Sequence, residues 1–314
     1  MLIQKKTMFV SMEAKYQKLK RKFYIVMAIL VLLIIANLYY IYLNYDYLAF
    51  KHLIIQNYIY TDSLDKLFER ELKRDVNGQY YKYFDNLVIS IVTREIREEQ
   101  PDPYTYQYLP EQYKKSKENE KKKADQSYVD ELDENIVYLK LTNYSKHTKN
   151  FVKNEKETLE KYTNIIIDLR DNPGGDVFAL NYIADLFLPE DNIISYDNTR
   201  SKLFSKTVKS KKKKQLSYDK IIILQNNDTA SSAEGFIAAL KDNLDNVILI
   251  GDTSYGKGTG QIIIPLKKNF AVKATTMFWN TPKNQNVQGT GIEPDIRYTE
   301  DDIIEYAVKY IKEK

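Results

Sequence analysis

The segment from Asn226 to Gln261 contains the residues best suited to carry chemistry. Ser231 lies where an apolar run of strand length, Ile221–Leu224, passes through a polar turn into a small-residue helix predicted over Glu234–Lys241. Free backbone N–H groups and the helix dipole favour negative charge at such a helix start. A serine in this place can act as a nucleophile if a base removes its proton.

The best candidate for that base is Lys257, which lies between Gly256 and Gly258. A lysine amine acts as a base only when its pKa falls from about 10.4 to roughly 7–8, through desolvation or nearby positive charge. Gln261 follows four residues later and shares a face with Lys257 if the segment is extended. Its neutral amide could orient the amine without raising the pKa of the lysine.

A glycine turn earlier in the chain could supply the hydrogen-bond donors for a reaction oxyanion. The sequence DNPGG, residues 171–175, follows the apolar run Ile165–Ile167, and α/β sheets place their sites at the carboxyl ends of strands. The candidate donors are the N–H groups of Gly174, Gly175 and Ser232. Each of these motifs alone also fits a plain turn or a helix cap, so the hypothesis depends on their combination.

Composition excludes several other chemistries. The 314-residue chain has no cysteine, which excludes thiol nucleophiles, disulfides and cysteine metal sites. With only two histidines, His52 and His147, a histidine-rich metal site and a Ser-His-Asp triad are poor hypotheses. Serine–lysine chemistry needs no metal or cofactor. The net charge of +4 is spread over short basic runs, which argues against a nucleic-acid partner.

The amino-terminal region has the pattern of a membrane anchor. Residues 1–23 form a basic tail, and the 20 residues Tyr24–Leu43 that follow are uncharged, so that a helix there would span roughly 30 Å. We predict a signal anchor over residues 24–44 in a bacterial cell membrane, with a cytoplasmic amino terminus and an extracytoplasmic remainder. A cleaved signal peptide and a buried soluble helix are the alternatives. The tyrosines that suit the outer headgroup interface are Tyr39, Tyr40, Tyr42, Tyr45 and Tyr47.

The next two segments differ in apolar content. Residues 45–113 are predicted to be a helical region, because apolar residues recur at helical spacing within residues 64–72 and 84–92. This region would form a stalk or a packing layer. Residues 114–134 are almost entirely polar, which predicts a solvated loop or linker.

From residue 135 to residue 314 strand patterns alternate with helix patterns. The predicted helices Phe151–Tyr162 and Val177–Leu188 lie between apolar runs of strand length. Such alternation predicts an α/β fold with a mainly parallel sheet. The closing stretches, residues 261–266 and 270–276, are predicted to form a hairpin.

Four blocks within residues 136–297 resemble the carboxyl-terminal (tail-specific) processing proteases, the S41 serine peptidases. In chain order they read IIIDLRDNPGGDVFALNYIADLFL, TASSAEGFIAALKDN, GDTSYGKGTGQ and TPKNQNVQGTGIEPDI. The resemblance implies an S41 catalytic core over residues 135–314 and a serine endopeptidase. Its substrates would be polypeptides, including unstructured segments or carboxyl-terminal tails. The oligomeric state stays open, with a homo-oligomer as one alternative.

The resemblance also implies roles for single residues. Ser231 would be the nucleophile, Lys257 the general base and Gln261 the partner of the lysine. The oxyanion donors would be the N–H of Ser232 and that of one glycine in the 171–175 turn. Asp242 occupies a position where the family often has an aspartate, and we expect it to be structural, near a helix end.

The chain departs from the family pattern in two places. Where members usually have Ser-Ala-Ser-Ala-Ser-Glu, this chain has Thr-Ala-Ser-Ser-Ala-Glu over residues 229–234. The adjacent Glu234 favours Ser231 as the nucleophile, whereas the spacing back from Lys257 favours Ser232. Most members also insert a PDZ domain, and the short polar segment 114–134 predicts a PDZ-less member. The alternative functions are a catalytically silent, membrane-tethered peptide-binding scaffold and a hydrolase of non-peptide amides or esters.

Overall fold

The computed structural model describes residues 2–60, 86–99, 102–211 and 215–313, which form two β-sheets with helices packed against them. The predicted helical pattern at residues 64–72 lies outside these ranges. The α-helices of the described part are α1 (Leu2–Leu43), α2 (Tyr45–Phe50), α3 (Asn86–Glu99), α4 (Pro110–Ala124), α5 (Lys146–Leu159), α6 (Val177–Phe187), α7 (Ser232–Asn243) and α8 (Ile303–Glu313). A π-helix (Lys51–Gln56) and a 3-10 turn (Lys267–Asn269) complete the helical elements.

The larger sheet is mainly parallel, as predicted. Its strands are β2 (Tyr128–Asp133), β3 (Ile136–Lys140), β4 (Asn164–Asp168), β7 (Lys220–Gln225), β8 (Val247–Gly251) and β11 (Ile296–Arg297), in the order β11-β8-β7-β4-β3-β2. Only the β2–β3 pair is antiparallel. Helices α5, α6 and α7 bury one face and α8 buries the other, which explains the unbroken isoleucine runs of the central strands.

The smaller sheet is antiparallel and was not predicted as a whole. Its strands are β1 (Tyr106–Tyr108), β5 (Ile193–Thr199), β6 (Lys206–Lys209), β9 (Thr259–Pro265) and β10 (Ala271–Asn280). The predicted hairpin is confirmed as the β9–β10 pair. Phe50, Leu53 and Ile54 pack beneath this sheet with less than 2% of their surface exposed. The described part of the amino-terminal helical region is therefore a packing layer and not a stalk.

The polar segment 114–134 is not a loop or linker, and that prediction was wrong. Most of it belongs to α4, which begins with Pro110 in its first turn and has Gln112 accepting the Leu109 N–H at 3.2 Å. The remainder contains β2, an edge strand of the parallel sheet. The lysines that suggested a solvated loop lie on a helix whose one buried residue is Ala124.

Helix α1 contains the predicted anchor segment. The part from Lys15 to Leu43 contains an 18-residue window with a mean hydropathy of 2.5 and is long and apolar enough to cross a membrane. Tyr39 and Tyr42 are exposed on it, as an interfacial position requires. Tyr47 differs from the expectation, because only 4% of its surface is exposed. Helix α2 has already entered the folded domain at that residue.

Candidate active site

Ser231 lies at a strained strand-to-helix turn. It follows β7 and precedes α7 directly, with φ of 56° and ψ of −118°. Such a backbone costs of order 1–3 kcal/mol for a residue with a side chain, so its surroundings must hold it in place. The N–H of the preceding Ala230 donates to the Asn172 carbonyl at 2.9 Å, and the Ser231 N–H donates to Glu234 at 2.7 Å. These bonds present a half-buried Ser231 at the helix start.

Glu234 joins the serine turn to the glycine-flanked loop. Its carboxylate is fully buried. One oxygen, Oε2, accepts the Ser231 N–H at 2.7 Å and the Lys257 N–H at 2.9 Å. The other, Oε1, accepts the Ser254 hydroxyl at 2.6 Å and the Gly256 N–H at 2.7 Å. A single side chain thus sets the distance between the candidate nucleophile and the candidate base.

The Lys257 amine has the electrostatic character that a base needs. Burial is the main cause that lowers its pKa to about 8, and the positive charge of Lys273 on β10 lowers that pKa further. The carboxylates of Glu234 and Asp102 act in the opposite direction on the pKa. At pH 7 a pKa of about 8 leaves roughly a tenth of the amines neutral. The Lys257 Nζ lies 4.3 Å from the ring centroid of Tyr104, which forms one wall of its pocket.

Gln261 lies on β9 close to Lys257 in sequence but is not bonded to it in the described part of the chain. Its amide nitrogen donates to the hydroxyls of Thr259, at 3.2 Å, and Thr275, at 3.4 Å. The predicted lysine–glutamine pair is thus not formed here. The amide is held on the strand that follows the loop.

The DNPGG turn packs directly against the serine turn. A Cβ added to Gly174, which has φ of +85°, would lie 2.7 Å from the Ser232 nitrogen and 2.9 Å from the Ser231 Cβ. The absent side chain thus keeps the space in front of the Ser232 N–H open. The Gly174 N–H donates to the Asn172 side chain at 2.9 Å. Among the three predicted donors, Gly174 is therefore the one whose N–H has another partner.

The two adjacent serines have different environments. The Ser232 hydroxyl donates to the Gly175 carbonyl at 2.9 Å, and only 4% of the residue is exposed. Ser231 is more accessible and lies at the strained position. The geometry therefore favours Ser231 for attack, and it gives Ser232 the task of tying α7 to the glycine turn.

Sequence reasoning gave no role to the amino-terminal residues that enclose the site. Asp102 is buried and accepts the hydroxyls of Tyr58 and Thr275 at 3.0 Å each, so it joins the packing layer to β10. Tyr104, two residues on, contacts Lys257. The local pattern does not reveal their place at the site, because the contacts that bring them there, from Tyr104 to Tyr255 and from Asp102 to Thr275, join residues more than 150 positions apart.

The remaining candidates lie outside this arrangement. His52 is exposed and its ring Nδ1 lies 3.0 Å from Gln56 Oε1. His147 is exposed on the first turn of α5. Asp242 forms an ion pair with Lys283 at 3.2 Å, which agrees with a structural role.

The fold and the site together define a class of protein. An α/β sheet presents a serine at a strained turn before a helix, and a lysine with a lowered pKa is held by the same carboxylate. A serine hydrolase that uses a lysine base needs an accessible serine and a lysine amine with a lowered pKa. Residues 135–298, just over half of the chain, match peptidase family S41. The chain belongs to this family of serine peptidases.

Two curated relatives and one solved structure illustrate the similarity. Carboxyl-terminal-processing peptidase 1 from the chloroplast of Arabidopsis thaliana is 36% identical over 171 residues, which are 54% of this chain and 35% of the relative. A carboxy-terminal-processing protease of Bartonella bacilliformis is 34% identical over 169 residues, 51% of this chain and 38% of the relative. This chain thus spans little more than a third of the length of these relatives.

The structural likeness extends beyond the matched domain. A lipoprotein from Streptococcus agalactiae is 18% identical, with a TM-score of 0.63 over 86% of this chain and 96% of that protein. At that identity the likeness concerns the fold alone. It includes the amino-terminal packing layer as well as the α/β region.

Proposed function

We propose that the chain is a serine endopeptidase that hydrolyses polypeptides through an acyl-enzyme. The observation that carries this proposal is the Glu234 carboxylate, which accepts both the Ser231 and the Lys257 N–H groups. The proposal is supported by this shared support of the two backbones, by the strained conformation of Ser231 and by the pKa of Lys257, which is lowered to about 8. A nucleophile and a base matched to neutral or mildly alkaline pH are thus held together.

In the proposed reaction the Ser231 hydroxyl attacks the peptide carbonyl carbon and passes its proton to the neutral Lys257 amine. The carbonyl oxygen becomes an oxyanion near the Ser232 N–H, with the Gly175 N–H as the preferred second donor because the Gly174 N–H bonds Asn172. The C–N bond then breaks, and the Lys257 ammonium gives its proton to the leaving amine. Water that loses a proton to Lys257 hydrolyses the resulting ester.

The proposal includes the setting of the enzyme. We infer that residues 24–44 remain as an uncleaved signal anchor in a bacterial membrane, with the peptidase outside the cytoplasm. The apolar α1 and its basic flank support this topology. We also infer a PDZ-less catalytic unit, since helix α4 and strand β2 occupy the segment before β3. The mass of the protein recovered from membranes distinguishes an anchor from a cleaved signal.

Alanine substitutions in the full-length protein, purified in detergent, test the chemistry. Ser231→Ala and Lys257→Ala should each lower the cleavage rate of β-casein, an unstructured protein, by at least about 10³-fold, because both groups act in the same step. Both variants should melt within a few degrees of wild type. The rate of wild type should rise with pH through about 8, as the Lys257 amine loses its proton.

Ser232→Ala is the matched control. It loses one hydrogen bond to Gly175, worth about 1 kcal/mol, and should keep most of the activity. If Ser232→Ala is inactive and Ser231→Ala is active, the assignment of the nucleophile is wrong. A wild-type protein that binds β-casein and cuts none of it would instead support the scaffold alternative.

A further inference from the structure

The junction between α1 and the folded domain contains no flexible linker. Helix α1 ends at Leu43, and Asn44 alone separates it from α2. Asn44 donates its N–H to the Tyr40 carbonyl at 3.1 Å and accepts the Leu48 N–H at 3.0 Å, so the backbone is bonded continuously across the junction. Phe50, a few residues later, is completely buried in the domain. A flexible stalk is therefore excluded at this junction.

The turn between β9 and β10 also contacts the end of α1. The Lys267 N–H donates to Asp46 Oδ1 at 2.9 Å, and its Nζ donates to the Leu43 carbonyl at 3.1 Å. The same Nζ lies 5.0 Å from the ring centroid of Tyr42. A lysine cation favours the carbonyl end of a helix, whose last C=O groups lack partners within the helix. Lys267 thus connects the β9–β10 hairpin to the last turn of α1.

This contact limits the distance between the active site and the bilayer. Strand β9 has 7 residues and connects the Lys257 loop to the Lys267 turn. Seven residues of an antiparallel strand extend about 24 Å. The further residues that complete the path from Lys257 to Lys267 raise the maximum distance between the two Cα atoms to about 35 Å. If the Lys267 backbone lies at the membrane surface, the Lys257 Cα lies no more than about 35 Å above it.

We propose that the β9–β10 turn rests at the membrane surface and fixes the height of the active site, so that the enzyme acts on polypeptides tethered to the same membrane. This inference rests on the proposed function and on its membrane anchor. An extended peptide rises about 3.3–3.6 Å per residue, so about ten residues suffice to bring a tethered bond to the site. A substrate anchored in the same bilayer also has a high effective concentration, without any new contact.

A spacer series in vesicles tests the proposal. The β-casein segment that wild type cuts is attached to a separate transmembrane helix through spacers of about 2 to 100 residues and reconstituted with the full-length enzyme. Substrates with spacers of about 10–20 residues should be cut at least about tenfold faster than the same peptide free in solution. The rate should fall for the shortest spacers, which cannot reach, and for the longest, which dilute the site.

A flexible insert provides the second variant. About 20 Gly and Ser residues between Leu43 and Asn44 release the domain over roughly 25 Å. This variant should cut the free peptide as wild type does, while its dependence on spacer length becomes flat. The proposal is overturned if wild type cuts tethered and free peptides equally well, or if the insert leaves the spacer dependence unchanged. If wild type cuts neither form, the proposed function itself fails, and this inference fails with it.

Discussion

The two sheets supply opposite halves of the candidate site, and they do so in different ways. The parallel sheet provides Ser231 and the DNPGG turn, each in the loop that follows a strand. The antiparallel sheet provides the environment of Lys257 through Lys273 on β10 and through Tyr104 before β1. The first half depends on local strand-turn-helix geometry, whereas the second depends on contacts between distant parts of the chain. The local sequence therefore indicates the candidate nucleophile, whereas the pKa of the candidate base depends on residues that are distant in the chain.

Glu234 is where the two halves meet, and its substitution should have the largest effect on activity beyond the serine and the lysine themselves. In Glu234→Gln an NH₂ group replaces one oxygen and faces backbone N–H donors that it cannot accept. We expect kcat to fall by about 10²–10³-fold, because serine and lysine lose their common support. A stopped assay on β-casein and a thermal melt measure the two consequences.

Glu293→Gln is the matched control, because Glu293 is an exposed carboxylate paired with Arg297. It should change neither rate nor melting temperature appreciably. Activity of Glu234→Gln within about threefold of wild type would show that the two halves hold their places independently.

Gly174→Ala should affect the serine half alone. Its Cβ would lie 2.6 Å from the Ala230 carbonyl oxygen and would fill the space before the Ser232 N–H. We expect kcat to fall by about 10²-fold, as for the loss of an oxyanion donor, while the pH profile keeps its midpoint. Steady-state kinetics at several pH values measure both quantities.

Gly289→Ala separates crowding from backbone strain. Gly289 has φ of +77°, close to that of Gly174, yet nothing lies within 4 Å of an added Cβ. This control should lose about 1–2 kcal/mol of stability and keep its rate. An equal loss of rate in both variants would mean that strain, and not the blocked space, causes the effect at Gly174.

Two substitutions that each remove a charge near Lys257 should shift its pKa in opposite directions. Their effects on the rate should be the smallest of those predicted here. Lys273→Gln removes a positive charge that lowers the pKa of Lys257, so that pKa should rise. The limb of the pH–rate profile, where the rate rises with pH, should therefore move to higher pH. Asp102→Asn removes a negative charge that raises the same pKa, so the limb should move to lower pH. We expect about a threefold loss of rate at pH 7 for Lys273→Gln and no loss well above the shifted pKa.

Lys309→Gln, an exposed lysine on α8, serves as the charge control and should leave the limb in place. Asp102→Asn should also lower the free energy of unfolding by about 1–3 kcal/mol, since Asp102 is buried and accepts several hydrogen bonds. If both substitutions shift the limb in the same direction, changes in packing outweigh the charges.

Fold prediction succeeded where the pattern was local. The apolar runs Ile165–Ile167 and Ile221–Leu224 indicated the parallel strands, because strands buried on both faces need continuous apolar residues. The polar residues of α4 led to the wrong prediction of a loop, because lysines and glutamates suit an exposed helix as well as a loop. The antiparallel sheet was missed beyond its β9–β10 hairpin because its other strands come from two parts of the chain, residues 106–108 and 193–209, that are far from the hairpin in sequence.

The sequence by itself determined the family-like motifs, the serine before a helix, the glycine turn and a helix long enough to cross a membrane. These features depend on residues within a few positions of one another. Only the tertiary structure decided that Glu234 holds both halves, that Tyr104 and Lys273 surround Lys257, and that Ser232 bonds Gly175. The pKa of a lysine depends on burial and on neighbouring charges, and the packing of distant segments creates both.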